Sequence, residues 1–109
     1  MNSFSVWIID PYVKSVGIVE LSRSHTLLDM YRLIGCSMVQ NLRVPGLDRD
    51  DMLYFDEEAL TKRGSPISSF MLGGCRFLGR GLVIGTDNFD NECSPETRVG
   101  RLIEMVKWL

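Results

Sequence analysis

The spacing of apolar residues along the chain predicts a strand hairpin followed by a helix. Residues 4–9 and 16–21 are rich in β-branched and aromatic side chains, and Asp10-Pro11 between them favours a turn. Two such runs so close together indicate a β-hairpin. From Thr26 to Ile34 the apolar residues recur at helical spacing, and Gly35 follows where a helix typically ends.

Shorter apolar runs predict further strands. They lie, in chain order, at Cys36–Val44, Met52–Asp56, Phe70–Leu72 and Leu82–Ile84. The carboxylates around Met52–Asp56 indicate that this strand forms an exposed edge of its sheet. Ser94-Pro95-Glu96 is a typical helix start, so a final helix is expected from Pro95 to about Lys107, with Val106–Leu109 as an alternative short strand.

These elements and the composition together predict the fold class. The chain has 109 residues, of which 45% are hydrophobic and 24% charged, as in an ordinary globular protein with one core. It contains no internal repeat, low-complexity tract or linker, so residues 1–109 are expected to form a single domain. We predict an α+β fold: a mainly antiparallel sheet of five or six strands with two helices packed on one face.

Composition also limits the location and the partners. The N-terminal segment lacks a basic region, and no apolar run has the length of a membrane span, which predicts a cytoplasmic protein without membrane contact. The cysteines Cys36, Cys75 and Cys93 are odd in number and widely spaced, which favours free thiols over disulfides. A formal net charge of −2 makes binding to duplex nucleic acid unfavourable.

Charge is unevenly distributed along the middle of the chain. A set of six carboxylates, here called the acidic block, precedes a stretch whose only charges are Lys62, Arg63, Arg76 and Arg80. The acidic block consists of Asp48, Asp50, Asp51, Asp56, Glu57 and Glu58. We predict that it forms a partner-binding surface. It does not have calcium-loop spacing, because the sixth and twelfth positions counted from Asp48 are Leu53 and Ala59, so no metal site is predicted.

A candidate anion site lies further along the chain. Gly73 and Gly74 offer flexible backbone amides, and the guanidinium groups of Arg76 and Arg80 follow closely, a combination that can hold a phosphate group. The glycines at positions 79, 81 and 85 lead into a strand and not into a helix, so they do not match the dinucleotide-binding pattern.

No catalytic residue is predicted. Cys75 beside Arg76 has a setting that can activate a thiol, but a nucleophile needs a general base, and His25 is the single histidine of the chain. Without a convincing acid, base or nucleophile, we expect a protein that is not an enzyme and has no cofactor.

Three segments resemble small uncharacterised α+β proteins encoded by phages, plasmids and bacterial accessory regions. They are Val6–Pro11, Leu53–Glu58 and Leu78–Gly85, and the resemblance covers residues 4–88. It implies a mobile-element origin and carries over no active-site residue. Our first hypothesis is therefore an accessory factor that binds a host protein stoichiometrically, for example an inhibitor of a host defence system. The alternative hypothesis is a protein that binds a nucleotide or other phosphate ligand at Gly74, Arg76 and Arg80. An enzyme is the hypothesis that we rank last. The sequence leaves open whether the chain forms a homodimer.

Overall fold

The computed structural model describes residues 2–59 and 67–109, so Lys62 and Arg63 of the predicted positive stretch lie outside the described residues. The described part contains nine strands and two helices. They are β1 Ser3–Asp10, β2 Ser15–Ser22, α1 Thr26–Ile34, β3 Val39–Leu42, β4 Asp51–Asp56, β5 Ser69–Leu72, β6 Cys75–Leu78, β7 Gly81–Thr86, β8 Glu92–Cys93, α2 Val99–Met105 and β9 Lys107–Trp108.

The main sheet is antiparallel, with the strand order β2-β1-β7-β4-β3, and β8 pairs with Gly85 and Thr86 of β7, past the residues of β7 that pair with β1. The predicted hairpin is confirmed, because β1 and β2 pair from Ser3 opposite Ser22 to Asp10 opposite Ser15. Strand β7 lies at the centre, where its residues Gly81 to Gly85 are all buried. A β-carbon at position 81 would lie 2.9 Å from the Leu53 side chain, so glycine is required for close packing of β7 against β4.

Strand β4 is an interior strand, which corrects the prediction that it forms an exposed edge. It pairs with β7 on one side and with β3 on the other. The carboxylates that suggested an edge lie at the two ends of the strand, whereas Leu53 in its middle is completely buried. Charge near a strand therefore did not indicate the position of this strand within its sheet.

Helix α1 has the predicted bounds, and Gly35 ends it in the left-handed conformation with φ 81°. The start of α1 has no side-chain cap, although Thr26 and Asp29 have the spacing of a capping box. The Thr26 hydroxyl donates to the Ser22 carbonyl oxygen at 2.8 Å, and the Asp29 carboxylate accepts from the Ser22 amide at 2.7 Å. These side chains fasten the helix start to the end of β2 instead of capping the first turn.

A smaller antiparallel sheet has the order β6-β5-β9. Strands β5 and β6 are joined by Gly73 and Gly74, whose φ angles of 59° and 82° are those of a two-residue hairpin turn. The pairing of Lys107–Trp108 with β5 shows that the C-terminal segment is a strand. Helix α2 begins at Val99, four residues later than predicted.

The described residues form a single α+β domain with a mainly antiparallel sheet, as predicted, but the two helices lie on opposite faces of that sheet. Met30 and Ile34 of α1 pack with Val6, Leu82 and Ile84. On the other face, Leu102 of α2 and the smaller sheet pack with residues such as Ile9, Leu53 and Val83. Successive residues of a strand point to opposite faces, and the central strands are apolar on both, so each face requires its own cover. Neither described helix has the length and apolar character needed to cross a membrane.

Candidate functional site

The acidic block does not form one surface. Asp48, Asp50 and Asp51 lie at the start of β4, and Asp56, Glu57 and Glu58 lie at its end. Five residue steps along a strand separate the two groups by about 17 Å. The sequence proximity of the six carboxylates therefore does not bring them together in space.

Asp51 is a completely buried residue that holds the fold together. Its Oδ1 accepts a hydrogen bond from the Glu96 amide at 3.0 Å, and its Oδ2 accepts from the Thr97 amide at 2.7 Å. The Thr97 hydroxyl accepts from the Asp48 amide at 2.8 Å, and the Thr97 carbonyl accepts from the Trp7 indole at 2.6 Å. We call these five residues the Thr97 clasp. It joins β1 and β4 to the segment before α2.

The other members of the acidic block have different surroundings. Asp56 is buried and accepts from the Glu58 amide at 2.9 Å, and the Ser37 hydroxyl lies 3.5 Å from Glu58 Oε1. Asp50 and Glu57 are the exposed members, and they lie at opposite ends of β4. Two residues of the predicted partner-binding surface, Asp51 and Asp56, are thus buried, and its exposed members lie at the two ends of β4.

The four residues of the predicted anion site do not line a common cavity. Gly73 and Gly74 line a cavity of about 160 Å³ together with Lys107, two methionines and Leu72. The Arg76 Nε donates to the Ser69 hydroxyl within the smaller sheet at 3.2 Å. Arg80 lines a separate cavity of about 120 Å³ with Tyr12, Gly35 and other residues. Among the described residues, neither Arg76 nor Arg80 therefore lines the cavity at Gly74.

Arg80 serves a structural contact. Its Nε lies 3.1 Å from the Asp10 carboxylate, and its guanidinium carbon lies 4.9 Å from the centre of the Tyr12 ring. The same carboxylate accepts from the Tyr12 amide at 3.0 Å. These contacts fasten the loop before β7 to the turn of the first hairpin.

The structure does not bring Cys75 and His25 together. Cys75 is exposed on β6, which belongs to the smaller sheet, and His25 precedes α1 on the opposite face of the main sheet. His25 Nδ1 lies 3.1 Å from the Ser24 hydroxyl. Within residues 2–59 and 67–109, no group of three histidine, cysteine or carboxylate side chains has the spacing of a metal site.

The turn from Asp87 to Asn91 has the most unusual exposure in the described chain. Phe89 is 83% exposed, more than any other large apolar residue in the described part. One Asp87 carboxylate oxygen accepts from the Phe89 amide at 2.8 Å and from the Asn91 amide at 3.0 Å. The Asp87 amide donates to the Asn91 carbonyl at 2.9 Å, and Asp90 adopts a left-handed φ of 62°. We call residues 87–91 the Phe89 turn; its hydrogen bonds fix the backbone from which the exposed phenyl ring projects.

The charges around the Phe89 turn are mainly negative. The amide hydrogen bonds from Asn91 and Phe89 lower the pKa of Asp87, so this side chain is a carboxylate at neutral pH. Asp90 and Glu92 add two further acids, and the segment from 87 to 97 contains no basic residue. Burial raises the pKa of Cys93, and the nearby carboxylates of Asp87 and Asp51 raise it further.

A polar cavity of about 270 Å³ adjoins the turn. It is lined by Phe4, Arg23, Thr26, Asp87, Asn91 and Glu92. The Arg23 guanidinium stacks over the Phe4 ring at 4.7 Å and donates to the Glu92 carbonyl oxygen at 3.3 Å. The sequence predicts only a surface turn at residues 87–91, and its one local signal is a single aromatic residue among four polar ones.

No known protein family, curated protein or solved structure matches this chain. The function must therefore be argued from the geometry of the chain itself.

Proposed function

We propose that this chain is a non-catalytic binding protein that acts stoichiometrically on a protein partner and contacts it through the Phe89 turn. The observation that supports this proposal best is the 83% exposure of Phe89. Burying a phenylalanine side chain is worth about 1.5 to 3 kcal/mol, so a partner that covers Phe89 gains that much from one residue. Aromatic anchors of this kind often dominate the energy of protein interfaces.

The rigidity of the turn favours recognition. Three backbone amides of residues 89–91 donate to Asp87 oxygens, and the Asp87 amide donates in return to Asn91. A turn whose backbone is held in place before binding loses little backbone conformational freedom when the partner arrives. The carboxylates of Asp87, Asp90 and Glu92 then favour a partner that surrounds its apolar pocket with lysine or arginine, and they accelerate the encounter at low salt.

The identity of the partner belongs to the proposal. We infer a cytoplasmic host protein, in keeping with the resemblance to phage and plasmid accessory proteins. The inhibition of a host defence system is a hypothesis that depends on this resemblance alone. It accords with a small binding protein, because a stoichiometric inhibitor needs a contact surface and no catalytic group.

A capture experiment with matched variants tests the Phe89 turn. The tagged wild-type protein, Phe89→Ser and the control Leu28→Ser are incubated with bacterial lysate, because Leu28 is also an exposed large apolar residue but lies on α1. We expect a partner that the wild type and Leu28→Ser retain equally and that Phe89→Ser loses. The retained complex should also weaken as salt rises. Equal retention by all three proteins would reject the Phe89 turn as the contact.

A further inference from the structure

The polar cavity of about 270 Å³ between the start of α1 and the Phe89 turn contains charges of both signs. Its charged side chains are Arg23, Asp87 and Glu92, and Phe4, Thr26 and Asn91 complete its lining. Pockets for drug-sized ligands have about 300 to 1,000 Å³, so this cavity is suited to a smaller ligand. Within residues 2–59 and 67–109, no lysine or arginine lies within ion-pair distance of the Asp87 or Glu92 carboxylate.

The positive side of the cavity is held in place before any ligand binds. The Arg23 guanidinium carbon lies 4.7 Å from the centre of the Phe4 ring. Arg23 Nη1 donates to the Glu92 carbonyl oxygen at 3.3 Å, so a backbone group and a ring position this side chain. Thr26 is the first residue of α1, and the N-terminus of a helix favours negative groups. A ligand carboxylate is therefore attracted to this side of the cavity.

The negative side of the cavity consists of two carboxylates. The Asn91 and Phe89 amides lower the pKa of Asp87, and the charge of Arg23 across the cavity lowers it further. Both amides bind Oδ1 of Asp87, so Oδ2 keeps acceptor capacity for a ligand. The carboxylate of the half-buried Glu92 lines the same cavity. Cationic groups of a ligand placed on this side gain attraction from both carboxylates.

We propose that this cavity binds a free basic amino acid, with the ligand carboxylate at Arg23 and the two ligand cations toward Asp87 and Glu92. The charges select this class of ligand. The cavity presents two carboxylates and one guanidinium, and a basic amino acid presents two cations and one carboxylate. A simple cation leaves Arg23 without a partner, and an acid leaves both carboxylates without one. The site does not depend on the proposed function, because Phe89 does not line the cavity.

NMR titration of the isotope-labelled protein with lysine tests the site at low ionic strength, where charges are screened least. The amides of Arg23, Thr26 and Asn91 should shift with one saturable Kd of about 1 mM, because the site is open and its charges are hydrated. The amides of Gly73 and Gly74, which line a different cavity, should not shift. If no saturable shift occurs at lysine concentrations on the order of 10 mM, the proposal is overturned.

Three lysine analogues test the charges of the ligand on the unaltered protein. Norleucine lacks the side-chain ammonium group, and cadaverine is lysine without its carboxylate. Nα-acetyllysine lacks the α-ammonium group and imitates a lysine at the C-terminus of a partner protein, so it separates that source from a free amino acid. Each analogue should bind about threefold or more weakly than lysine, because each leaves one charge of the cavity without a partner. An analogue that binds as tightly as lysine would overturn the proposed arrangement.

Matched variants assign the charges to residues, and thermal unfolding shows that each variant folds. Arg23→Gln should bind lysine and cadaverine equally, because glutamine offers no charge to the ligand carboxylate. Glu92→Gln should weaken lysine binding about threefold. Asp90→Asn is the control, because it removes an exposed acid of the same turn that does not line the cavity, and it should bind lysine as the wild type does.

The variants also separate this site from the proposed partner contact. An Arg23→Gln protein that still prefers lysine to cadaverine, or a Glu92→Gln protein no weaker than Asp90→Asn, would contradict the assignment. Phe89→Ser should bind lysine normally, since the Phe89 side chain lies outside the cavity lining. The lysine titration and the capture experiment therefore fail independently.

Discussion

Replacing Asp51 by asparagine should destabilise the protein more than any other neutralisation within the acidic block. Asp51 is completely buried, and its two oxygens accept from the Glu96 and Thr97 amides. Asparagine keeps one acceptor oxygen and places an NH₂ group against the other amide, so two donors face each other. The carboxylate that the substitution removes is the group that links β4 to the segment before α2.

The size of the effect follows from the hydrogen bonds. A hydrogen bond to a charged group contributes about 1.5 to 3 kcal/mol, and an unsatisfied buried donor costs a similar amount. We therefore expect Asp51→Asn to lower the free energy of unfolding by about 2 to 3 kcal/mol. Small domains are stable by only about 5 to 15 kcal/mol, so this loss is a large fraction of the total.

Urea unfolding monitored by tryptophan fluorescence measures the change. The Trp7 indole donates to the Thr97 carbonyl, so its emission reports directly on the Thr97 clasp. Asp50→Asn is the matched control, because Asp50 is the exposed sequence neighbour, and a surface change of this kind should alter stability by less than about 0.5 kcal/mol. If Asp51→Asn and Asp50→Asn unfold at the same urea concentration, Asp51 does not have the structural role assigned to it.

Two further substitutions have defined outcomes. Gly73→Ala should lower the free energy of unfolding by about 2 kcal/mol or more, because the backbone there is left-handed and a β-carbon would lie 2.8 Å from the Pro45 carbonyl oxygen. Gly74 is also left-handed, but a β-carbon there meets open space, so Gly74→Ala should cost only about 1 kcal/mol. Urea unfolding of both variants measures the difference, and equal losses would contradict the packing argument. Folding lowers the pKa of Asp87, so the ionised Asp87 side chain stabilises the folded protein. This stabilisation is complete above the pKa that Asp87 has in the unfolded chain, and it is lost as pH falls through the lower pKa that Asp87 has in the folded protein. The stability difference between the wild type and Asp87→Asn should therefore shrink in acid, and a difference that is constant with pH would contradict this assignment.

Local sequence predicted the elements that depend on neighbouring residues. Helix α1 has the bounds predicted from apolar spacing and Gly35, because both signals act within one or two helical turns. The first hairpin and β7 were also predicted from their β-branched runs. Strand β6 was missed, since its pairing with β5 depends on the turn at Gly73 and Gly74 and not on alternation within its own four residues.

The candidate site could not be predicted in the same way. In the sequence, nothing near Asp51 distinguishes it from the other carboxylates of the acidic block. Its hydrogen-bond partner, the Glu96 amide, is 45 residues away along the chain. The predicted anion site failed to converge because Arg80 pairs with Asp10, which is 70 residues away. The polar residues around Phe89 predict a surface turn, but the exposure of Phe89 depends on the conformation of residues 87–91, which Asp87 holds through the Phe89 and Asn91 amides.

The sequence by itself determined the α+β class, the bounds of α1 and the presence of the first hairpin. These properties follow from periodicity and residue type, which act over a few neighbouring positions. Tertiary structure decided which carboxylates are buried, which strand is an edge and which face each helix covers. Those properties depend on contacts between residues far apart in the chain, so the free energy that selects them is not contained in any local segment.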